Sequence, residues 1–389
     1  MTAAEFNRRV ESRAGRGGFQ LLQKGKLDIT FLTLLCIILV TGLVMLFSAS
    51  TSYAQAYESN AYHYIVRQLL FALVGVVVMF VLSGIDYHVY RKLAWPIYGI
   101  AVALLVVVLV LPTTVKEGFH RWIVLGPISF QPSEIAKFAI IVLFSALISI
   151  NYKRMEKFTF GIVLFGVLLA VVCALVVVET HLSATILIFA IGVSLMIVGG
   201  IKLRWVALAG ISGAAMGALA IFTGVVGYGS GRIQNWLNPW NDPADGGFQT
   251  IQSLLAIGSG GFLGQGLGKS HQKHLWLPEP QNDFIFAIVC EELGFIGAVI
   301  IIVLFALLIW RGFVIAMRAP DKFGSLLAIG ITFQVGLQTA LNILVVTNSI
   351  PNTGISLPFF SYGGTSLLML LAQMGIILSV SRSSTVLKR

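Results

Sequence analysis

The chain has 389 residues, of which 57% are hydrophobic and 11% charged, with a formal net charge of +10 and a mean hydropathy of +0.91. Soluble domains carry about 25% charged residues, so a chain this poor in charge cannot cover its own surface, and a water-soluble monomer is excluded. Disorder is excluded as well, because it needs low hydrophobicity and high net charge.

The three cysteines, Cys36, Cys173 and Cys290, are odd in number and lie inside apolar runs, so no disulfide framework is implied. Nor does the positive charge indicate nucleic acid, whose binders gather Lys and Arg on one folded face. Here they sit in short segments between apolar runs, as in an integral membrane protein.

A helix needs about 20 mostly apolar residues to cross the hydrocarbon core. Residues 1–27 form a basic tail, and the apolar stretches that follow are 28–48, 65–84, 93–111, 132–150, 160–178, 183–200, 204–226, 283–310, 323–347 and 365–380. The first is too long for the core of a signal peptide, so it reads as an uncleaved helix. Ten spans place both termini on one side. With the termini inside, 19 of the 26 Lys and Arg fall on the inner side, and the outer side keeps Arg67, Lys116, Arg121, Lys137, Arg232, Lys269 and Lys273. Cytoplasmic loops carry the basic excess, so the termini are expected in the cytoplasm.

The expectation is therefore an all-α polytopic membrane protein with about ten transmembrane helices. It divides into a tail at 1–27, a membrane domain at 28–380 and a second cytoplasmic tail at 381–389. Two outer loops stand out. The large extracellular loop 227–282, between helices 7 and 8, carries an apolar stretch from Ile251 to Ile257 and the tryptophans Trp236, Trp240 and Trp276. That composition suits the membrane interface better than a loose tether. Its glycines, from Gly258 to Gly268, do not lie in a strand–turn–helix unit, so they read as turn formers and not as a phosphate cradle. His271 and His274 lack a third ligand and read as surface polar residues. The second loop, 348–364, holds two prolines and three glycines. Such backbone at membrane depth requires protein or a watery cavity around it, so it reads either as a re-entrant loop or as an ordinary interfacial one.

Ionisable groups near a membrane are costly and become functional candidates. Glu134 and Lys137 share a helix face at i and i+3 and can pair. Arg121 and Trp122 precede them in the outer loop. Asp283 opens the eighth span, with Glu291 and Glu292 deeper. Each has a plainer reading: an ion pair that eases burial, a belt aromatic for Trp122, a helix N-cap for Asp283, packing contacts for the two glutamates. Together they suit either a reaction on an amphiphile with its head at the outer leaflet or the vestibule of a transporter.

At these residues the chain resembles the SEDS family (shape, elongation, division and sporulation), the group of FtsW, RodA and SpoVE. The resemblance rests on Arg121-Trp122-Ile123 with Leu125-Gly126, on Gln131-Pro132-Ser133-Glu134 leading to Lys137, and on Leu277 to Ala287 followed by Glu291-Glu292-Leu293-Gly294. It ends with Pro358-Phe359-Phe360-Ser361-Tyr362-Gly363-Gly364-Thr365-Ser366. It covers all ten spans. Pro278-Glu279-Pro280-Gln281 and Asn352-Thr353-Gly354 are more like FtsW or SpoVE than RodA. One departure is that many members carry Pro-Asp-Leu-Gly-Thr where this chain has Thr180-His181-Leu182-Ser183-Ala184-Thr185, so no role passes to His181.

The resemblance implies a peptidoglycan glycosyltransferase that polymerises lipid II, the undecaprenyl-pyrophosphate-linked disaccharide peptide, at the outer face of the bacterial cytoplasmic (inner) membrane, including the division septum. It implies as partners a class B penicillin-binding protein and other divisome or elongation proteins. It makes Asp283 catalytic, either as general base or as ligand of a divalent cation such as Mg2+ or Mn2+. Arg121 and Lys137 are then candidates for stabilising the leaving pyrophosphate, Glu134 is expected among the substrate-binding residues beside Lys137, and Trp122, Ser361, Gly363 and Gly364 are expected to position the head group. A lipid II flippase and a non-catalytic division scaffold are the rival classes. The concentration of distinctive residues on the outer face favours the enzyme.

Overall fold

The computed structural model describes residues 25–111, 121–125, 128–202, 204, 205, 207 and 234–386. In chain order the main elements are α1 (Ile29–Glu58), α2 (His63–Gly84), the short α3 (His88–Lys92), α4 (Ala94–Val110), β1 (Ile123–Leu125), β2 (Ile128–Phe130) and α5 (Pro132–Asn151). There follow α6 (Phe165–Val178, entered through a π-helical turn Phe158–Leu164), α7 (Leu182–Val198), α8 (Phe248–Gly260), α9 (Ile285–Met317), α10 (Lys322–Val346) and α11 (Gly364–Val386). Among the described residues, seven helical segments are long and apolar enough to cross a membrane, and α4 and α7 are shorter apolar helices. The expected span at 204–226 falls almost wholly outside the described residues.

The helices form a bundle around α5, whose apolar window is 78% buried, against 28% in α2 and α9. This difference separates the central post, covered mostly by protein, from helices that turn one side outward. α5 contacts α4, α7 and α10, while α2 packs along α11 and α9 lies between α1, α8 and α10. Helix starts follow local chemistry. Pro132 occupies the first turn of α5, where its missing N–H costs nothing. Asp28 caps α1 by accepting from the Phe31 N–H at 3.0 Å, and it also receives Arg311 of α9 through both carboxylate oxygens. Asp321 caps α10 in the same way and accepts from the Tyr87 hydroxyl ahead of α3.

α9 is broken at Gly294, which has φ 68 and ψ −171. The break frees the carbonyls of Glu291 and Glu292, and these accept from the N–H groups of Gln265 and Gly266 at 2.9 and 3.0 Å. Beyond the break, the Phe295 N–H donates to the Gly261 carbonyl at 2.9 Å. The glycine run is therefore a clasp over an interrupted helix. Gly264, at φ +79, lies so close that a Cβ would sit 2.2 Å from the Glu292 carbonyl oxygen, which only glycine tolerates. The same segment collects the buried side chains below it: Ser270 and the His271 N–H bind Glu291, and Lys273 pairs with Glu292 at 3.0 Å. Glu292 is thus paired with a cation and Glu291 is held by neutral donors, as burial demands.

The stretch Ile251 to Ile257 lies within α8, which packs against α9 and α10. Residues 348–363 have no regular secondary structure, yet Ile355, Leu357, Phe359, Phe360 and Ser361 are buried. Their backbone is satisfied by side-chain amides from neighbouring helices. Gln68 donates to the Ser361 carbonyl and accepts from the Gly363 N–H, both at 3.2 Å; Gln338 donates to the Ser356 carbonyl at 3.1 Å. This is the condition under which irregular backbone is tolerated inside a membrane protein.

Candidate functional site

A cavity of about 460 Å3 opens at the end of the bundle where α5 begins and α9 starts. The β1–β2 hairpin, paired antiparallel with Val124 opposite Ser129, brings Arg121 and Trp122 to its wall. The first two turns of α5 contribute Glu134 and Lys137, the segment before α9 contributes Asp283, and the irregular loop contributes Gly363 and Gly364. Residues far apart in sequence are thus gathered by four separate elements. Seven of the eight residues expected from the sequence line this one cavity.

Ser361 is the exception. Its hydroxyl donates to the Asn282 carbonyl at 2.6 Å and accepts from the Leu357 N–H at 2.8 Å, and its carbonyl receives Gln68. It braces the loop against the segment carrying Asp283 from behind the cavity wall.

Glu134 and Lys137 form a buried ion pair at 2.7 Å on one face of α5. Asp283 is not the N-cap of α9, which starts after Phe284 with no side-chain capping bond. Its carboxylate faces the cavity instead, where burial pushes its pKa up to about 6; the Glu279 charge pushes the same way and Arg121 opposes. A carboxyl group so placed switches between acid and base close to neutral pH. Gly354 lies directly over it, and a Cβ there would come within 3.2 Å of Asp283 Oδ2.

The cavity holds residues that the sequence did not single out for it. Arg67, near the start of α2, adds a third cation beside Arg121 and Lys137. A lone arginine at the head of an apolar span was the available signal. His181 also lines the cavity and is hydrogen-bonded through Nδ1 to Gln131 Nε2 at 3.1 Å. Burial, with Arg121 and then Lys137 nearby, brings its pKa down to about 3, so it is a neutral imidazole at the cavity wall. Behind it, burial pushes Glu179 up to about 8 against the pull of Arg121. Glu279, Gln338 and Tyr362 complete the polar lining used below.

Among the described residues, no three of His, Cys, Asp and Glu converge as a metal site would require. Asp283 and Glu279 offer two carboxylates. This fits a Mg2+-like ion, which takes one or two carboxylates and completes its shell with phosphate oxygens and water, and does not fit an all-protein cage.

The arrangement pairs a carboxylate near its switching point with three cations in one recess, and comparison with known proteins gives the same direction. The FtsW/RodA/SpoVE family model, described as cell cycle protein, matches residues 28–386. Stage V sporulation protein E of Bacillus subtilis is 40% identical over 366 residues, covering 92% of this chain and 97% of its own. A probable peptidoglycan glycosyltransferase FtsW from Geobacter sp. (strain M18) is 38% identical over 356 residues, covering 91% and 96%. Among solved structures, a chain from a peptidoglycan synthase complex that coordinates polymerization and crosslinking superposes with a TM-score of 0.73 at 27% identity, over 92% of this chain and 98% of that one. The rod shape determining protein RodA of Thermus thermophilus gives 0.67 at 27% identity, over 92% and 97%. The chain belongs to the FtsW/RodA/SpoVE family and is a multi-pass membrane protein of that fold.

Proposed function

We propose that the chain is a peptidoglycan glycosyltransferase that polymerises lipid II at the outer face of the bacterial cytoplasmic membrane, with action at the division septum. The observation that carries this reading is the single cavity shared by Asp283 and the cations Arg67, Arg121 and Lys137. Relatives named as peptidoglycan glycosyltransferases over nearly the whole chain support it.

The chemistry is a substitution at a sugar carbon. A hydroxyl of the acceptor lipid II attacks the anomeric carbon of the donor, a new glycosidic C–O bond forms, and the bond from that carbon to the pyrophosphate oxygen breaks. The leaving undecaprenyl pyrophosphate takes the bonding electron pair. A free hydroxyl is a poor nucleophile, and Asp283 accepts its proton as the bond forms; positioned base catalysis contributes typically about 10²–10⁴-fold. Charge accumulates on the departing pyrophosphate, where Arg121, Lys137 and Arg67, already in place on the cavity wall, stabilise it. A divalent cation held by Asp283 would share that neutralisation. Glu134 keeps the Lys137 ammonium pointed along one face of α5. Trp122 and the Gly363–Gly364 turn shape the wall against the head group, and Ser361 fixes the loop to the segment carrying Asp283.

A partner that crosslinks the strands, a class B penicillin-binding protein, follows from the same reading, with other division or elongation proteins around it. The experiment is polymerisation of labelled lipid II by the purified protein with its class B partner, comparing wild type with Asp283→Asn. Moenomycin silences unrelated polymerases. Long glycan from wild type and none from a folded Asp283→Asn variant is the expected result. Wild-type rates from the variant would remove Asp283 as base, and no glycan from either with partner binding intact would turn the reading to transport or scaffolding.

A further inference from the structure

Tyrosines from three separate segments meet in one line that ends at the cavity. Tyr57 and Tyr53, one turn apart near the end of α1, have ring centroids 4.4 Å apart. Tyr53 contacts Tyr64 at the start of α2 at 6.1 Å, and Tyr64 meets Tyr362 of the irregular loop edge-on at 4.8 Å. Tyr362 lines the catalytic recess. The far end is open, with Tyr57 67% exposed, while Tyr53, Tyr64 and Tyr362 are half-buried. A belt of interfacial tyrosines would face lipid around the perimeter. These instead face one another and run inward.

The charges along the line are as informative as the rings. Glu58 and Glu279 lie within electrostatic reach of Tyr64, and Glu279 also acts on Tyr53. The three cations sit on the cavity walls. Carboxylates (Glu134, Glu279 and Asp283) share the recess with those cations, so an anion finds cationic partners there and is disfavoured along the tyrosines, where Glu58 and Glu279 act. A sugar ring presents apolar C–H faces and a rim of neutral hydroxyls. The faces suit an aromatic surface, and the hydroxyls suit both phenolic oxygens and carboxylates, which accept strong hydrogen bonds.

We propose that Tyr57, Tyr53, Tyr64 and Tyr362 form a glycan-binding track that holds sugar units of the growing strand outside the Asp283 recess. The assignment of the sugar class rests on the polymerase reading above. The track separates the two ends of the product: pyrophosphate among cations, polysaccharide along tyrosines. It gives the strand a foothold after each addition, so that it stays bound for the next.

The test uses full-length protein in lipid nanodiscs, titrated with lipid-free, peptide-free glycan oligomers of the peptidoglycan backbone. Wild type should bind them, with the affinity against which each tyrosine variant is read. Tyr53→Leu/Tyr57→Leu should weaken binding by about three- to tenfold, the value of losing aromatic contacts. Tyr53→Phe/Tyr57→Trp should restore most of it. Thermal unfolding of each variant checks the fold, and should the double variant fail, the exposed Tyr57→Leu alone should still weaken binding by about twofold. Equal affinity in wild type and the leucine variants would overturn the track, as would absence of binding by wild type. Binding is read without catalysis, so lipid II polymerisation with no oligomer binding would remove the track alone. Oligomer binding without polymerisation would remove the polymerase reading and leave the track standing.

Discussion

The side-chain amide of Asn342 donates to the main-chain carbonyls of both Asp283, at 2.7 Å, and Ile355, at 2.6 Å. One fully buried side chain from α10 thus ties the segment carrying the candidate base to the irregular loop that covers it. Asn342→Leu would leave two carbonyls without a partner, each costing about 1–3 kcal/mol. It would also release Asp283 from its position, and misplacement by about 1 Å can cost on the order of 100-fold in rate. The expected outcome is a lower unfolding temperature together with a polymerisation rate reduced at least tenfold, read on the same purified sample. A variant that melts early but polymerises at the wild-type rate would show that the clamp serves stability alone.

Gly354 imposes a second constraint from above. Its φ of +69 lies in the left-handed region, and a Cβ would reach 3.2 Å from Asp283 Oδ2. Gly354→Ala places strain of about 1–2 kcal/mol on the backbone and pushes the methyl group against the carboxylate. The loop sits at the edge of the bundle, so the variant should express and insert. Its polymerisation rate should fall by roughly tenfold or more. Gly354→Asn, which tolerates that backbone but carries a larger side chain, should be at least as impaired if the contact with Asp283 matters. Recovery of activity in the asparagine variant would place the defect in backbone strain instead.

With Asp283 as the proposed base, its charge state would set the pH dependence. Its folded-state pKa is raised to about 6, so the carboxylate is available to accept a proton above that pH and is lost as pH falls through it. Polymerisation should be flat above about pH 7 and decline toward about tenfold per pH unit below 6, as expected for one essential base. Glu279 contributes to the upward shift by its negative charge. Glu279→Gln should therefore move the acid limb to lower pH. A limb that stays in place, or moves to higher pH, would show that another group controls it.

How much of this was legible in the sequence depends on the kind of information each residue carries. The spans were readable because lipid demands long apolar runs, and Glu134 with Lys137 because three-residue spacing on a helix fixes their proximity. The cavity as a whole was not. Arg67, whose place at the head of an apolar span marks it without saying what it faces, joins it because α2 packs along α11, and His181 joins it only because the turn between α6 and α7 folds toward the head of α5, a contact with no local signal. Ser361 illustrates the opposite case. Its place in a motif suggested contact with substrate, while its hydroxyl is committed to the Asn282 carbonyl. The broken helix α9 was equally hidden, since its apolar run reads as continuous and only the clasp of residues 261–266 shows the interruption.

The Glu134–Lys137 pair separates structural from catalytic roles most sharply. Both side chains are buried, and the Lys137 ammonium sits 2.7 Å from Glu134 Oε1. Removing one partner strands the other charge in a poorly solvated site, at a cost of about 3–5 kcal/mol, whereas replacing both by neutral groups of similar shape is often close to neutral. Lys137→Met and Glu134→Gln should therefore each lower the unfolding temperature, and the double variant Glu134→Gln/Lys137→Met should recover most of it. Activity should follow a different pattern. If Lys137 neutralises the leaving pyrophosphate, the double variant stays inactive although its fold is restored, while Glu134→Gln retains partial activity because the ammonium is still present. Thermal unfolding and lipid II polymerisation measured across the four proteins of this cycle give both readouts, and polymerisation restored in the double variant would reduce the pair to a support for α5.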